Sequence, residues 1–494
     1  MFYETRGLAI SKDMKILFLT PPMGMWVYFG KMKSIYPGYA QLAAYLLEKA
    51  PKIEVEVLDC PALELNHQQM LDEIDKKKPD VVAMGCGTVW VHCVYEAAQK
   101  IKARFPEIKI VCGGMHFNAL PLESLAEHKE IDIVVVGEGE QTLLELLQEL
   151  GKPKPNLAVI NGLGFRKNGK AALTKPRCLI KDLDSLPLPA YHLFPLDKYV
   201  SYSYWPRAVR VVTSRGCSGR CYFCFQWNQY DKRAKDNVGV WRGLSGKRIA
   251  DQAELLVRKF GVQMFEIQDD EFNNQESRIE EFCDEVLKRR LDFRWMFLGR
   301  ADSFVEQMRL FPKMRKAGCI LTLIGIEAET DEKLKQMGKN ITISQVKKAI
   351  DEMRKNDICS CGTVMAGFPD DDEATIKRRA EILDELDPDL MTINLLVPYP
   401  GTELWEQLKD SPLREVKDFR YYDMAHAIMP TKYLSRADLN RLANWVNREF
   451  YSKPERIQRM LYGYSDPLVG ACCRSYMEVV PKVEECFLKG EPFI

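Results

Sequence analysis

The sequence predicts an α/β protein that contains two successive parallel sheets followed by a helical C-terminal region. Short apolar strands alternate with amphipathic stretches of helix length over residues 14–150, and the alternation resumes over residues 207–405. The predicted strands are almost continuously apolar, which is typical of parallel sheets covered by helices on both faces. The chain has 494 residues, too many for one hydrophobic core, and this length predicts about two to four domains.

The first domain, residues 1–150, is predicted to be a doubly wound, Rossmann-like fold of five strands and five helices. Such a fold binds ligands at the carboxyl ends of its strands. Six glycines cluster at these ends, where the backbone can approach a bulky ligand closely. They are Gly85, Gly87, Gly113, Gly114, Gly137 and Gly139. The predicted strands cover residues 14–22, 55–60, 80–86, 109–114 and 132–138.

Residues 151–205 are predicted to form a linker that leads to the second domain. The dipeptide Asn168-Gly169 is typical of the turn of a β-hairpin, and the residues that follow are rich in proline and extended.

Residues 206–405 are predicted to form a partial (β/α)6 barrel of the TIM type. Six βα units are too few for the closed eight-unit barrel, and the chemistry of such folds gathers at the C-terminal ends of the strands. Residues 406–494 are predicted to be mostly helical, and they carry no recognisable motif. The predicted barrel strands cover residues 207–215, 263–272, 293–302, 319–329, 359–369 and 389–400.

The composition is that of an ordinary enzyme without a strongly charged partner. Lys and Arg number 70, equal to Asp and Glu, so charge gives no reason to expect nucleic acid or an anionic membrane as partner. No stretch approaches the roughly 18 apolar residues of a membrane span, and the N-terminus does not resemble a signal peptide. The 15 cysteines are irregularly spaced, which suits a reducing compartment. We therefore expect a cytoplasmic protein.

Cys217, Cys221 and Cys224 lie on one short loop directly after the first predicted barrel strand. Three soft thiolates at this spacing suit an iron–sulfur cluster. A [4Fe–4S] cluster normally takes four cysteines, so three would leave one iron open to a cofactor. Two alternatives are a structural zinc site and a chance grouping, but zinc normally needs a second cysteine or histidine pair that is not nearby in the sequence.

The CxxxCxxC loop, with Phe223 before its third cysteine, resembles that of the radical S-adenosylmethionine (SAM) superfamily. The resemblance implies that the open iron binds the amino and carboxylate groups of SAM. It also implies that an external one-electron reductant, such as flavodoxin or ferredoxin, drives cleavage of SAM to methionine and a 5′-deoxyadenosyl radical. By the same resemblance, backbone near Phe223 contacts the adenine.

Polar residues at the other barrel strand ends are similar to the SAM-binding positions of this superfamily. Arg300 ends the third strand and could pair with the SAM carboxylate through its guanidinium fork. Glu327 ends the fourth strand and could bind the ribose, although Ala328 follows it where the superfamily often has serine. Taken singly, each acid could equally be a helix cap or a solvated charge. The candidates for binding the SAM ammonium group are Asp269, Asp270 and Glu271.

The first domain resembles the cobalamin-binding domain of class B radical SAM enzymes. The similar segments are residues 20–22, 36–46, 112–123 and 134–146, and with the barrel the resemblance covers roughly residues 14–405. The alternative is a doubly wound domain that serves only for packing. The implied cobalamin contacts are Gly87, Thr88, Trp90, His92, Gly113, Gly114, Gly137 and Glu138.

One departure from that family concerns the cobalt ligand. The Asp-x-His-x-x-Gly signature is absent after the first strand, where residues 20–30 read TPPMGMWVYFG. In the loop after the third strand, Trp90 could cover the cobalt or His92 could ligate it. A lone histidine at the start of a helix can also be a cap or a core residue.

The resemblance implies a cobalamin-dependent methyltransferase. One SAM would supply a methyl group to cobalamin, and a second would give the radical that activates an unreactive carbon of the substrate. The substrate would be a protein side chain, such as a residue of methyl-coenzyme M reductase, or a small molecule. Tyr399 is a candidate catalytic residue. The alternatives are a cobalamin radical SAM enzyme that closes or rearranges a ring, and a non-catalytic iron–sulfur or cobalamin sensor.

Overall fold

The computed structural model describes residues 14–489, apart from residues 25, 28–29, 32, 202–204 and 225–240. Seven strands form what we call the N-terminal sheet. The first five strands in its order are parallel and the last two are antiparallel, which confirms the predicted α/β domain. In spatial order they are Glu54–Asp59, Lys15–Thr20, Val81–Gly85, Lys109–Gly113, Ile133–Val135, Leu163–Lys167 and Lys170–Leu173.

Both faces of the N-terminal sheet are buried, as the continuous apolar strands predict. Side chains alternate between the faces of a strand, so Ile16 and Phe18 enter one hydrophobic core while Leu17 and Leu19 enter another on the opposite face. Helices cover the two faces. They are Pro37–Lys49, Cys60–Leu63, His67–Lys77, Val91–Arg104, Met115–Ala119, Pro121–Glu127 and Gly139–Leu150.

The predicted hairpin is present, and it extends the N-terminal sheet. Asn168 and Gly169 have φ angles of 52° and 79°, and Lys167 pairs with Lys170, as in a two-residue turn with left-handed backbone. The first hairpin strand pairs antiparallel with Ile133–Val135. The 3₁₀ turn Leu157–Val159 precedes the hairpin, and after the hairpin the chain continues through short 3₁₀ turns and two short strands towards the barrel. These are Leu183–Ser185, Tyr191–Leu193, Leu196–Lys198, Val200–Ser201 and Trp205–Pro206.

The second sheet, which we call the barrel sheet, has six parallel strands in simple sequence order, as predicted. Because the first and last strands do not pair with each other, the barrel is open. Its strands are Ala208–Val211, Met264–Ile267, Arg294–Gly299, Cys319–Glu327, Cys359–Ala366 and Leu390–Leu395. Its helices are Gly246–Phe260, Glu276–Arg289, Ala301–Glu306, Phe311–Lys316, Asp331–Gln336, Ile343–Lys355, Glu373–Leu386 and Glu403–Leu408, with 3₁₀ turns at Phe272–Asn274 and Met308–Leu310.

Helix Gly246–Phe260 shows how the local sequence fixes such an element. The Ser245 side chain accepts a hydrogen bond from the backbone N–H of Arg248, which caps the first turn. Ile249, Ala253 and Leu256 recur at helical spacing and are buried. Gly261 ends the helix with a φ of 64°, a left-handed conformation that suits glycine.

Two further pairs of short strands lie outside the main sheets. Trp26–Val27 pairs with Gly30–Lys31, and Ser214–Gly216 pairs antiparallel with Trp241–Gly243. We call the second pair the ribbon, because it frames the cysteine loop described below.

The C-terminal region is helical from residue 436. Its helices are Arg436–Tyr451, Pro454–Tyr462 and Pro467–Lys489. The preceding segment is mostly irregular, but its turn Phe419–Tyr421 packs against the turn Thr88–Trp90 of the first domain. No helix in the described part of the chain is long and apolar enough to cross a membrane.

Candidate active site

The cysteine loop follows the first barrel strand, Ala208–Val211, and begins immediately after the ribbon strand Ser214–Gly216. Cys217, Cys221 and Cys224 are half-buried cysteines. Among the described residues, no three cysteine, histidine or acidic side chains are close enough to share one metal ion. A zinc ion needs its ligands around a single centre, whereas the thiolates of a [4Fe–4S] cluster each bind a different iron. As three soft sulfur donors on one loop, these cysteines are a donor set that fits a [4Fe–4S] cluster.

The surroundings of the cysteine loop disfavour bare thiolates. Burial raises the pKa of Cys217 to about 12, with the Glu271 carboxylate adding to the effect, and burial also raises the pKa of Cys221. The backbone N–H of Gly219 donates to the Cys217 sulfur at 3.3 Å. Because metal binding requires thiolates, cluster assembly on this loop must release protons.

Two helix ends hold the cysteine loop from outside. The backbone N–H of Tyr222 donates to the Met337 carbonyl at 3.3 Å, and the Leu404 N–H donates to the Tyr222 carbonyl at 3.2 Å. Gly338 has a φ of 77°, and a Cβ there would overlap the Arg220 carbonyl oxygen. Sequence reasoning missed Gly338, because only the folded chain brings it against this loop.

Phe223 forms part of an apolar wall beside the cysteines. Its ring meets the rings of Tyr222 and Phe368 edge to face, with centroid distances of 5.7 and 6.0 Å. Phe368 follows the fifth barrel strand, and its N–H donates to Asp371 at 3.0 Å. The predicted adenine-contacting segment thus lies against another strand end of the same barrel.

Asp269, a predicted SAM contact, has hydrogen-bond partners within the fold. Its side chain is fully buried and accepts hydrogen bonds from the Thr213 N–H at 2.6 Å and the Ser214 hydroxyl at 2.7 Å. Arg278 lies 3.3 Å from the same carboxylate. Since these partners use both oxygens, Asp269 ties the first two strand ends together.

Asp270 and Glu271, in contrast, contact the cysteine loop. Glu271 accepts from the N–H of Ser218 at 2.7 Å and from its hydroxyl at 3.0 Å. Asp270 accepts from the N–H of Gly216 at 3.2 Å. Burial raises the pKa of Asp270 to about 7, and the neighbouring acids Asp269 and Glu271 contribute. Both acids therefore lie beside the segment that carries the cysteines.

Arg300 also reaches the cysteine loop, although its guanidinium fork is bidentate on Asp302, at 3.1 and 2.7 Å. A Cβ on Gly219 would lie 2.8 Å from an Arg300 nitrogen, which shows how closely the arginine approaches the loop. Asn273 holds the Arg300 backbone, accepting from its N–H at 2.9 Å and donating to its carbonyl at 3.1 Å. Nothing in the sequence around Asn273 indicated this role.

Glu327 has a φ of 64°, which is uncommon for a residue other than glycine. Its carboxylate accepts from the Lys339 ammonium group at 2.6 Å and from the Thr363 hydroxyl at 3.3 Å. Such backbone strain persists only where surrounding contacts impose it, and it concentrates at functional sites. Lys339 was not a predicted site residue, and it lies next to Gly338 in the loop that supports the cysteines.

Tyr399 takes part in packing of the C-terminal segment. Its hydroxyl donates to the Tyr422 carbonyl at 2.7 Å, and burial raises its pKa. The hydroxyl of Tyr399, the candidate catalytic residue, is thus engaged with the C-terminal segment.

The strand ends of the first domain form a second candidate site. The Trp90 ring lies over Gly87, where a Cβ would sit 3.6 Å from both the ring and the Met115 side chain. The indole N–H of Trp90 is buried and has no hydrogen-bond partner among the described residues. Because a buried donor without a partner is costly, this N–H marks a place for a polar ligand. The site therefore fits a group such as cobalamin, with its many amide side chains.

The remaining predicted contacts lie around the same strand ends. Thr88 is within hydrogen-bonding distance of the buried His116, 3.3 Å from its Nδ1. Burial and the positive charge of Arg420 lower the pKa of His92, so its imidazole is neutral at pH 7, the form that binds metals. The glycines Gly113, Gly114 and Gly137 end the next two strands, and Gly114 and Gly137 have φ angles of 85° and 89°.

Glu138 was predicted to contact cobalamin, but its carboxylate faces the barrel domain. It is buried and accepts from Arg215 at 2.6 Å and from Arg242 at 3.0 Å. The neighbouring Glu140 also accepts from Arg215, at 2.5 Å. Burial opposes ionisation of Glu138, but the two guanidinium groups hold its pKa below the ordinary value.

The two candidate sites share one interface between the domains. Besides the Glu138 pairs, a Cβ on Gly401 after the last barrel strand would lie 3.3 Å from the Ala119 side chain of the first domain. The ring of Phe419 meets that of His116 at 5.1 Å. The C-terminal strand ends of both sheets therefore face the same interdomain region.

Comparisons with known proteins agree with this arrangement. Residues 34–147 match the model of the B12 binding domain, and residues 211–383 match that of the radical SAM superfamily. The chain is 29% identical to an uncharacterized methyltransferase of Pyrococcus horikoshii, over 95% of this chain and 99% of that protein. It is also 29% identical to the anaerobic magnesium-protoporphyrin IX monomethyl ester cyclase of Rubrivivax gelatinosus, over 84% of this chain and 73% of the cyclase.

Among solved structures, the fold is similar to that of the cobalamin-dependent SAM radical enzyme OxsB, in a structure with aqua-cobalamin and SAM bound. The TM-score is 0.72 with 17% sequence identity, covering 97% of this chain and 72% of OxsB. At this identity the likeness shows a shared fold.

Proposed function

Because the chain belongs to the cobalamin-binding radical SAM enzymes, we propose that it is a methyltransferase acting on an unactivated carbon. When bound, the cluster and SAM supply the radical chemistry, and cobalamin supplies the methyl group. The observation that carries the proposal is the shared interface. The cysteine loop and the strand ends of the B12-binding domain lie on opposite sides of it and are joined through Glu138 and Arg215. A radical and a methyl donor must meet one substrate carbon, which this arrangement allows.

We assign the SAM contacts to the polar residues that touch the cysteine loop. Asp270 and Glu271 would accept hydrogen bonds from the SAM ammonium group, because carboxylates form strong charge-assisted bonds with such donors. Arg300 would bind the SAM carboxylate, and Glu327 the ribose hydroxyls. Lys339, which already pairs with Glu327, would hold that acid in position.

We assign Trp90 to the face of the cobalamin that meets the first domain. Its ring covers Gly87, and its buried N–H lacks a partner among the described residues, so a polar edge of the ligand would satisfy it. His92 is the alternative neighbour of the cobalt, since its neutral imidazole can ligate a metal.

The substrate is a protein side chain, for example a residue of methyl-coenzyme M reductase, or a small molecule. The methyltransferase relative, which the chain matches over 99% of its length, supports methylation. The reaction also needs an external one-electron donor such as flavodoxin or ferredoxin. The irregular spacing of the cysteines in the sequence suits a reducing compartment, which supports a cytoplasmic location.

A second candidate function is ring closure without methylation, which the similarity to the magnesium-protoporphyrin cyclase supports. The two functions differ in their products. Methyl transfer through cobalamin converts SAM to S-adenosylhomocysteine, whereas ring closure by a radical yields 5′-deoxyadenosine without a methylated product.

The proposal is tested by anaerobic reconstitution with iron, sulfide and hydroxocobalamin, followed by reduction in the presence of SAM. We expect the visible absorbance and EPR signal of a [4Fe–4S] cluster, bound cobalamin and formation of 5′-deoxyadenosine. Cys217→Ala and Cys221→Ala should lose the cluster, while Cys178→Ala, which changes an exposed cysteine outside the loop, should retain it. Zinc or no metal on the loop of the wild-type protein would overturn the proposal.

A further inference from the structure

Glu138 joins the two candidate sites through one carboxylate. It follows Gly137 in the loop after strand Ile133–Val135, on the side of the first domain that matches B12-binding proteins. A Cβ on Gly137 would have no atom within 4 Å, so the backbone of this loop is open to a ligand. The Glu138 side chain points the other way, into the interface, and only 5% of it is exposed. The same short loop therefore has a face for the ligand and a face for the barrel.

The partners of Glu138 lie on the ribbon at the base of the cysteine loop. Arg215 and Arg242 are cross-strand neighbours in the ribbon, and both donate to Glu138. A further hydrogen bond comes from the Ile180 N–H at 2.6 Å. One carboxylate thus holds both ribbon strands and the linker.

The ribbon leads directly into the cluster ligands. Its first strand, Ser214–Gly216, ends next to Cys217, and its second strand, Trp241–Gly243, receives the chain after Cys224. The Trp241 indole N–H donates to the Glu271 carbonyl at 2.9 Å, which connects the ribbon to the acids beside the loop. Any displacement of the ribbon must therefore displace the segment that carries the cysteines.

The charges make this connection sensitive to Glu138. Two guanidinium groups side by side repel each other, and Glu138 is the carboxylate that contacts both of them. Glu140 accepts from Arg215. Loss of the Glu138 charge would remove the carboxylate that the two guanidinium groups share, and breaking a buried ion pair is unfavourable.

We propose that Glu138 is a positioning residue that couples the cobalamin site to the cluster and SAM site, so that each cofactor strengthens binding of the other. This inference rests on the proposed function, because it assumes that both cofactors bind. A ligand that orders the loop at Gly137 also orders Glu138, and through Arg215 and Arg242 it orders the ribbon. By linkage, the effect on affinity must be equal in both directions.

The test measures the Kd of hydroxocobalamin by quenching of tryptophan fluorescence, with and without SAM, on the anaerobic enzyme with its oxidised cluster. Without a reductant SAM is not cleaved, so the measurement does not depend on activity. For the wild-type enzyme we expect SAM to lower the Kd by about 5-fold or more, within the usual range of coupling between sites. For Glu138→Gln the ratio of the two Kd values should fall below about twofold.

The ratio separates coupling from a merely structural role, because general damage would raise both Kd values without changing their ratio. Glu145→Gln is the matched control, since Glu145 pairs with Arg177 of the linker and, among the described residues, not with the ribbon arginines. It should keep the wild-type ratio. If Glu138→Gln does not fold, Glu138→Asp keeps the charge but shortens its reach, and it should reduce the ratio in the same direction.

Two results would overturn this inference: a wild-type ratio near one, or an unchanged ratio in both Glu138 variants. If the wild-type protein binds no hydroxocobalamin under either condition, the proposed function itself fails, which is a different result from a lack of coupling.

Discussion

Hydrogen-bond partners distinguish acids that are adjacent in the sequence. Asp269 accepts hydrogen bonds from Thr213 and Ser214 and lies beside Arg278 in the interior, whereas Glu271 accepts hydrogen bonds from the N–H and the hydroxyl of Ser218 in the cysteine loop. The three neighbouring acids look equivalent in the sequence QDDEF. Their different partners show that Asp269 joins strand ends within the barrel, while Glu271 contacts the loop that carries the cysteines.

A pH-dependent prediction concerns His116, which is 1% exposed beside Thr88 and Tyr95. Burial, with a smaller effect of His128, lowers its pKa to about 3. An unfolded histidine titrates near pH 6.5, so between pH 6.5 and 3 the unfolded chain binds one more proton than the folded chain. Stability should therefore fall as the pH falls through this window, by about 1.4 kcal/mol per pH unit from this residue.

The measurement is the free energy of urea unfolding at pH 7, 6 and 5. His116→Gln should be less stable at pH 7 but should lose about 2 kcal/mol less than the wild type on going to pH 5. His192→Gln, which replaces an exposed histidine, is the control and should follow the wild type. Equal slopes for the wild type and His116→Gln would show that this histidine does not limit acid stability.

At the level of loops and helices, the cysteine loop is held by elements that are distant from it in the sequence. The Met337 carbonyl, just after helix Asp331–Gln336, accepts from the Tyr222 N–H. The Leu404 N–H, at the start of helix Glu403–Leu408, donates to the Tyr222 carbonyl. A cluster loop needs such support, because its own short sequence has few partners within itself.

Gly338→Ala should weaken cluster binding. Its positive φ strains any other residue, and the added Cβ would also collide with the Arg220 carbonyl next to Cys221. The matched control is Gly169→Ala in the hairpin, where φ is 79° and nothing lies within 4 Å of the added Cβ. The control should show only the backbone strain of about 1–2 kcal/mol. Iron content after reconstitution should fall by more than half for Gly338→Ala, because the collision adds a cost of about 1 kcal/mol or more. Equal iron content in the two variants would refute this role.

Arg379 is predicted to stabilise the loop after the fifth barrel strand. It is fully buried and donates to both oxygens of Asp371, at 2.6 and 2.7 Å, and to Glu329 at 2.7 Å. Arg379→Met leaves two buried acids without this partner and should lower the free energy of unfolding by about 3–5 kcal/mol.

The adjacent residue is the control for that experiment. Arg378 is 45% exposed and pairs with Glu381 and Glu385 on the helix surface. Arg378→Met should leave the free energy of urea unfolding almost unchanged, because exposed ion pairs contribute little. If both variants lost the same free energy of unfolding, burial would not explain how strongly the Arg379–Asp371 pair stabilises the protein.

For the complete chain, the main feature is that two domains present their strand ends to one interface. The turn Phe419–Tyr421 of the C-terminal segment also packs against the turn Thr88–Trp90. A ligand bound there would contact the folded state alone, so it should stabilise the protein by mass action.

Hydroxocobalamin should therefore raise the thermal unfolding midpoint. At a concentration 100 times its Kd, the added stability should be about 2.7 kcal/mol. Cys217→Ala, which lacks the cluster, should still show an increase, because the B12-binding domain lies apart from the cysteine loop. No shift for either protein at saturating hydroxocobalamin would argue against binding at this interface.

Much of the architecture could be predicted from the sequence. Continuous apolar strands and amphipathic helices report burial locally, so the two parallel sheets and the open barrel follow from periodicity. The hairpin turn follows from Asn168 and Gly169, whose conformations are a local property. The three cysteines are equally local, since their spacing alone suits a cluster with one open iron.

The hydrogen-bond partners of Asp269, Glu138 and Tyr399 could be identified only from the tertiary structure. Asp269 meets Thr213, which is 56 positions away, and Glu138 meets Arg215, which is 77 positions away. Tyr399 donates to a carbonyl 23 positions further along the chain. A polar side chain acts through its partners, and when these come from distant segments no local pattern records them. The long-range contacts of the fold therefore determine the surroundings of each predicted polar residue.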